Sequence, residues 1–98
     1  MADAILLRVL TDAGVAMIDE SAVSIIAPGE RGYLGILRNH APLVTTLAPG
    51  TLRWQRPDGS RQRMQVGAGL LEIVQNRCTV LTDSAAPVEP VSAHHGVL

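Results

Sequence analysis

The sequence GYLGILRNHAPLVTTLAPG, residues 32–50, decides the fold of this chain. It contains two short apolar runs, residues 33–37 and 43–47, on either side of a polar corner at residues 38–40. Pro42 keeps the residue before it out of the helical region, and a proline-glycine pair closes the segment with a turn signal. The stretch therefore predicts a strand, a corner and a second strand.

The rest of the chain repeats short apolar alternations with a period of two residues. Further runs of this kind lie at residues 5–10, 51–56, 60–66, 70–74 and 78–82, with turn signals between them. No stretch shows the 3.6-residue period of an amphipathic helix. We expect an all-β fold, an antiparallel β-sandwich of about ten short strands in two sheets. The turn at residues 11–14 should lead into a strand that Val15 and Met17 open.

The pattern divides the chain into one domain and a tail. Strand-like alternation ends after Asp83, and the remaining residues include Pro87 and Pro90 and show no period. Residues 1–86 are therefore predicted to form the sandwich domain, and residues 87–98 an irregular tail.

Composition excludes several classes of function. The chain of 98 residues has no lysine and eight cations, all of them arginine. Schiff-base enzymes, phosphate-loop proteins and lipoyl carriers all need a lysine side chain. The net charge of −1 argues against strong attraction to nucleic acid or to an anionic membrane. Cys78 is the single cysteine, which excludes an internal disulfide and predicts a small buried hydrophobe.

No group of side chains predicts catalysis, a cofactor or a metal. His40 lies in the polar corner without a nearby nucleophile or carboxylate in sequence, and His94-His95 alone do not complete a metal site. Arg53, Arg56, Arg61 and Arg63 cluster on one predicted hairpin, where a solvated face is the simplest interpretation. Alternation instead points Leu6, Leu10 and Val44 outward, which favours a protein interface.

The chain also lacks the features of a membrane-inserted or exported protein. No apolar run reaches the roughly 18 residues that a membrane span needs. The N-terminus has no basic region or cleavage site of a signal peptide. We therefore expect a soluble, cytosolic protein without direct membrane insertion.

The 32–50 segment resembles the signature of the epsilon subunit of F-type ATP synthases, G-x-L-G-I-x-x-x-H-A-P-L-x-x-x-L-x-P-G. The positions that match in order are Gly32, Leu34, Gly35, Ile36, His40, Ala41, Pro42, Leu43, Leu47, Pro49 and Gly50. The run Gly69-Leu70-Leu71-Glu72-Ile73 is similar to a second family segment, and the likeness extends over residues 5–86. The family's domain is a β-sandwich of two five-stranded sheets, in agreement with the period-two pattern.

The resemblance implies a non-catalytic rotor subunit that contacts the gamma subunit and the membrane ring of c subunits. It implies the cytoplasmic face of the bacterial inner membrane as the location, with no cofactor and no nucleic acid. By position, the ring-facing tip would be Glu30, Arg31, Gly32 and Tyr33. The gamma-facing surface would include Thr11, His40, Val44 and Thr45.

The resemblance also predicts one difference from the family. Members usually continue into an inhibitory helical hairpin of roughly 40 residues. Only fifteen residues follow Asp83 here, so we expect this chain to lack the hairpin and its inhibition of ATP hydrolysis. The alternative function is a free-standing β-sandwich that binds a small ligand or a protein, although the single Trp and Tyr offer few rings for sugar stacking.

Overall fold

The computed structural model describes residues 3–12 and 16–91. Their strands are β1 (Ile5–Thr11), β2 (Ala16–Ala22), β3 (Ser24–Gly29), β4 (Gly32–Leu37), β5 (Leu43–Leu47), β6 (Gly50–Gln55), β7 (Arg61–Val66), β8 (Gly69–Val74), β9 (Arg77–Thr82) and β10 (Glu89–Pro90). The all-β prediction is confirmed. Val15, the side chain of Met17, the predicted turn at Gly14 and the pair His94-His95 lie outside the residues that can be described.

The strands form one continuous, curled sheet. Its order is β10-β7-β6-β3-β5-β8-β9-β1-β2, and β4 pairs with β3 along the whole length of that strand, on the edge that does not face β6 and β5. A single residue pair, Gly29 with Leu47, joins β3 to β5 and so links the two halves of the sheet.

The prediction of purely antiparallel pairing is wrong at one place. β1 and β9 are parallel, from Leu6 opposite Arg77 to Thr11 opposite Thr82. Hairpin signals reveal only pairs that are adjacent in sequence, whereas parallel strands need a long connection. Here most of the chain lies between the two strands, so no local signal indicates the pair.

Alternate side chains of the strands meet in one core, as the period-two pattern predicts. Leu7 and Val9 are fully buried, whereas their neighbours Leu6 and Arg8 face solvent. Cys78 is buried as expected, and burial raises the pKa of its thiol to about 12. The core hydrophobics are Ile5, Leu7, Val9, Ala22, Ile25, Ala27, Ile36, Leu47, Leu52, Trp54, Met64, Val66, Leu71, Ile73, Cys78 and Val80.

Two glycines mark places where backbone packs closely. A Cβ atom at Gly69 would overlap the carbonyl oxygen of Leu81 on the neighbouring strand, as expected for a glycine that interrupts a strand pattern. A Cβ atom at Gly50 would lie 2.7 Å from the Cβ of Pro28. These contacts fix how closely β9 and β3 approach the strands beside them.

The tail is more ordered than its two prolines suggest. Ala85 bridges to Val66, and Glu89 and Pro90 pair with β7 as the short strand β10. The amide of Val91 donates to the carbonyl of Arg61 at 2.9 Å. Proline is tolerated on an edge strand because its missing N–H faces away from the ladder.

Candidate protein-interaction site

The predicted tip is a tight turn between β3 and β4. The two strands stay paired to their ends, where Gly29 lies opposite Gly32. Only Glu30 and Arg31 therefore form the turn, and Pro28, just before it, is buried within β3. Gly32 has φ +124°, a backbone conformation that favours glycine.

Strand β5 holds the tip from one side. The Thr46 hydroxyl donates a 2.8 Å hydrogen bond to Oε1 of Glu30, and the Glu30 amide donates to the Thr46 carbonyl at 3.2 Å. The Ala48 amide donates to the Pro28 carbonyl at 2.9 Å. The tip is thus a short, hydrogen-bonded projection of the sheet.

Tyr33 is the large exposed side chain of the tip. It is 61% exposed, and its hydroxyl accepts a 3.3 Å hydrogen bond from the amide of Thr51. The hydroxyl therefore points back across the sheet toward β6 while one side of the ring faces solvent. An aromatic ring held in this way offers contact area at little cost in conformational entropy.

An open groove of about 670 Å³ is lined by the tip on one side and by residues of β5 and β8 on the other. We call it the tip groove. Its lining is Gly29, Glu30, Arg31, Gly32, Tyr33, Leu34, Leu43, Val44, Thr45, Thr46 and Leu70. The predicted ring-facing residues and two of the predicted gamma-facing residues, Val44 and Thr45, therefore share one groove.

The remaining gamma-facing candidates lie at opposite ends of the sheet. Thr11 lies at the end of the sheet that also carries the tip, because it pairs with Thr82, which in turn pairs with Gly69. His40 follows β4 at the other end, where its Nδ1 lies 2.6 Å from the carbonyl oxygen of Ala41. The structure brings Val44 and Thr45 beside the tip, but it does not bring Thr11 and His40 together.

The corner that carries His40 is fastened to the β8–β9 turn. The amide of Asn39 donates to Oδ1 of Asn76 at 2.6 Å, and Nδ2 of Asn76 donates to Oδ1 of Asn39 at 3.1 Å. Both asparagines have positive φ, 66° and 61°. These bonds give the corner a structural role that the sequence alone does not reveal.

The outer surface of β5, β8, β9 and β1 carries an apolar set that we call the leucine face: Leu6, Leu10, Val44, Leu70, Val74 and Leu81. Register brings Thr46, Leu70, Leu81 and Leu10 into one row across the four strands. Val44 is the most exposed member, at 66%. The expected outward orientation of Leu6 and Val44 is confirmed.

Thr46 and Leu70 are two residues of this surface that sequence interpretation missed. The alternation of β5 already puts Thr46 on the same side as Val44, so this side was accessible to a period-two argument. The hydrogen bond between Thr46 and Glu30, and the row of side chains that contains Leu70, depend on the register between strands. The sequence has no local signal for that register.

Chemistry of other kinds has little support in residues 3–12 and 16–91. No three metal-binding side chains converge there. Every buried side-chain nitrogen or oxygen in this part of the chain has a hydrogen-bond partner. The same residues include no helix with the length and apolar character of a membrane span.

Comparison with known proteins identifies the same domain over most of the chain. Residues 5–88 match the family model described as the beta-sandwich domain of the ATP synthase delta/epsilon chain. The ATP synthase epsilon chain of Dichelobacter nodosus is 41% identical over 71 residues, which cover 72% of this chain and 50% of the relative. That of Symbiobacterium thermophilum is 38% identical over 85 residues, with coverage of 87% and 60%. The chain thus spans about half the length of the curated relatives it matches.

Solved structures share the fold at low sequence identity. A chain of the Euglena gracilis mitochondrial ATP synthase, in an OSCP/F1/c-ring structure, aligns with a TM-score of 0.80 at 20% identity. The alignment covers 99% of this chain and 61% of that one. A chain from the central stalk and c-ring of the Tetrahymena thermophila enzyme aligns with a TM-score of 0.67 at 14% identity, covering 87% and 67%.

Proposed function

Because this chain belongs to the ATP synthase delta/epsilon family, we propose that it is a non-catalytic rotor subunit of an F-type ATP synthase. In this role it couples rotation of the gamma subunit to the membrane ring of c subunits. It works at the cytoplasmic face of the bacterial inner membrane, as a peripheral part of the complex. The tip groove, which combines the tip with the exposed edge of the leucine face, is the observation that carries this proposal.

The leucine face is the proposed gamma-binding surface. Val44, Leu70 and Leu81 form a contiguous exposed apolar patch, and such patches mark protein interfaces more often than scattered apolar residues do. Val44 lies in the row next to the Leu70–Leu81 pair, and Glu72, Thr79 and Arg8 continue that row with polar groups. An apolar centre with adjacent polar groups suits a stable subunit contact.

The tip is the proposed contact with the polar loops of the ring. Arg31 and Tyr33 are both exposed, and Glu30 is held by Thr46. A partner on the leucine face lies next to these residues, because Val44 and Tyr33 line the same groove. Force between gamma and the ring is then transmitted through a short path of hydrogen-bonded strands.

The fold is best understood as a sandwich of two layers within the curled sheet. One layer consists of β10, β7, β6, β3 and β4, and the other of β5, β8, β9, β1 and β2. The single Gly29–Leu47 pair between β3 and β5 supports this division. The domain proper ends near residue 86, and the residues after it form an appended tail along β7.

A matched pair of charge insertions tests the gamma surface. Val44→Asp places a carboxylate in the leucine face, and Leu37→Asp does the same on β4, where Leu37 is 65% exposed. Both variants should fold, because both side chains are already solvated. Val44→Asp should weaken co-purification with the gamma subunit by at least about tenfold, since a buried unpaired charge is costly.

Leu37→Asp should leave co-purification with gamma unchanged. Equal binding by the parent and both variants would show that the leucine face is not the gamma surface. Absence of any complex between the parent chain and gamma would remove the rotor proposal itself.

A further inference from the structure

The layer that does not carry the leucine face places two like charges directly opposite each other. Arg53 on β6 pairs with Arg63 on β7, and both side chains point outward. Arg61 lies two positions before Arg63 along β7, on the same side of the strand. Like charges at facing positions of a β ladder destabilise the isolated sheet. Carboxylates supplied from outside the domain would relieve this repulsion.

Few carboxylates within the described chain compensate this charge. Glu89 of β10 lies 3.8 Å from Nε of Arg63. No carboxylate in residues 3–12 and 16–91 lies within ion-pair distance of Arg53 or Arg61. These three arginines line an open groove of about 430 Å³, together with Ser24, Ile26, Trp54, Gln55, Gln62 and Val91.

Gly35, an exposed glycine of β4, lies near this groove. Gly35 pairs with Ile26, which in turn pairs with Arg53. A Cβ atom at Gly35 would meet nothing within 4 Å, and its φ lies outside the region that requires glycine. Glycine in the interior of a strand weakens it, and often marks a place where another backbone approaches closely. Space for such an approach exists above Gly35, between the exposed side chains of Tyr33 and Leu37.

From these observations we propose that Arg53, Arg61 and Arg63, with Ile26 and Gly35, form a docking site for an acidic segment of a partner protein. We call this site the arginine face. The segment carries at least two carboxylates, which neutralise the guanidinium groups. Its backbone crosses Gly35, and an apolar residue of the segment covers Ile26, which is 46% exposed.

The chain itself contains a small example of the interaction. Strand β10 lies along β7 as an extended segment and presents the carboxylate of Glu89 to Arg63. Residues 92–98 contain no Asp or Glu and cannot supply the missing side chains. A groove with an apolar floor and a glycine gap fits a polypeptide better than a flat lipid surface. The site lies on the opposite layer from the leucine face, so the proposal does not rest on the rotor role.

Titration of the isotope-labelled chain with synthetic peptides tests this site by NMR. One peptide has glutamates on both sides of a leucine, and its control has glutamines instead. The glutamate peptide should shift the amide signals of Ile26, Gly35 and Arg53 in a salt-sensitive manner. The glutamine peptide should bind about tenfold more weakly or not at all.

Three variants separate docking from folding. Arg53→Gln with Arg61→Gln should weaken binding of the glutamate peptide by about tenfold. Arg8→Gln with Arg77→Gln removes the same charge from the leucine-face layer and should leave binding unchanged. Gly35→Val should abolish binding while its thermal midpoint equals or exceeds that of the parent, because the added side chain enters open space.

Several outcomes would overturn the proposal. Equal binding of both peptides, or equal loss in the two arginine double variants, would show that the arginine face is not selective. Binding to phosphatidylglycerol vesicles without binding to the peptide would identify a membrane surface instead. Dimerisation that depends on Arg53 and Arg61, without peptide binding, would identify a second copy of this chain as the occupant.

Discussion

At the scale of single residues, Glu20 links β2, at one end of the sheet, to Trp54 of β6 and to Arg56 just after β6. Its Oε1 accepts hydrogen bonds from Trp54 Nε1 at 2.9 Å and from Arg56 Nε at 2.8 Å. Its Oε2 accepts a third from Arg56 Nη2 at 2.8 Å. Strand β2 has no ladder bonds to β6, so these contacts join two strands that the sheet order keeps apart. The hydrogen bonds from Arg56, aided by that from Trp54 and opposed by burial, hold the pKa of Glu20 below its ordinary value.

The lowered pKa of Glu20 predicts how stability depends on pH. A carboxylate whose pKa is depressed by folding stabilises the native state above its unfolded-state pKa, and this contribution disappears as pH falls through the folded-state pKa. Glu20→Gln should therefore lower the thermal midpoint at neutral pH, by about 5 °C. Below the ordinary titration range of glutamate the parent and the variant should converge. Thermal unfolding monitored by circular dichroism across this pH range measures the difference.

Glu72→Gln is the control for that measurement, because Glu72 is an exposed carboxylate on the outer side of β8. It should not change the thermal midpoint at neutral pH appreciably. A Glu20→Gln profile that is superimposable on the parent's would show that the Glu20 contacts do not stabilise the fold.

The sequence predicts the orientation of individual side chains better than their neighbours. Alternation correctly assigns Leu7 to the core and Val44 to the surface, because that assignment needs only local geometry. The separation of Thr11 from His40 results from register across several strands, which no short segment encodes. The same limit explains why the bond between Thr46 and Glu30 could not be predicted.

At the scale of elements, the tail protects an edge of the sheet. Residues 84–91 follow β7, and Ala85 and Val88 pack against the core. The Ala86 amide donates to the carbonyl of Gln65 at 2.9 Å. Without this cover β7 would expose a row of unpaired backbone groups, which is a template for pairing with another chain.

Truncation tests the protective role of the tail. A chain that ends at Asp83 should have a midpoint lower by at least about 4 °C, because it loses the backbone bonds to β7 and the packing of Val88. It should also self-associate, which sedimentation velocity detects. A chain that ends at Val91 keeps β10 and serves as the control, with parental stability. A monomeric, fully stable chain ending at Asp83 would show that the tail is dispensable for the fold.

Hairpins are the elements that the sequence predicts most accurately. Gln75 and Asn76 have φ of 47° and 61°, as a two-residue turn between β8 and β9 requires, and the two apolar runs predicted at residues 70–74 and 78–82 are the strands that this turn joins. By contrast, β10 cannot be predicted because its proline and its length of two residues leave no periodic pattern. The parallel β1–β9 pair cannot be predicted because its partners are distant in sequence.

At the scale of the whole molecule, the leucine face and the arginine face lie on different layers of the sheet, and the tip belongs to the same layer as the arginine face. The tip groove and the leucine face lie together, so one side can contact gamma and the ring at once. The arginine face lies on the other layer and remains available to a further partner. The shared core and the Glu20 contacts connect the layers, as the proposed torque-transmitting role would require.

The rotor role is tested most directly by ion-driven ATP synthesis in an assembled enzyme that contains this chain. Arg31→Glu together with Tyr33→Ala alters the tip but keeps the bond between Glu30 and Thr46. Asp58→Lys, in the β6–β7 turn, is the charge-reversal control. The tip variant should reduce synthesis severalfold while it stays folded and binds gamma as the parent does, and the control should synthesise ATP normally. Parental rates of synthesis in the tip variant, with the ring still firmly attached, would contradict the assignment of this chain's tip to the coupling path.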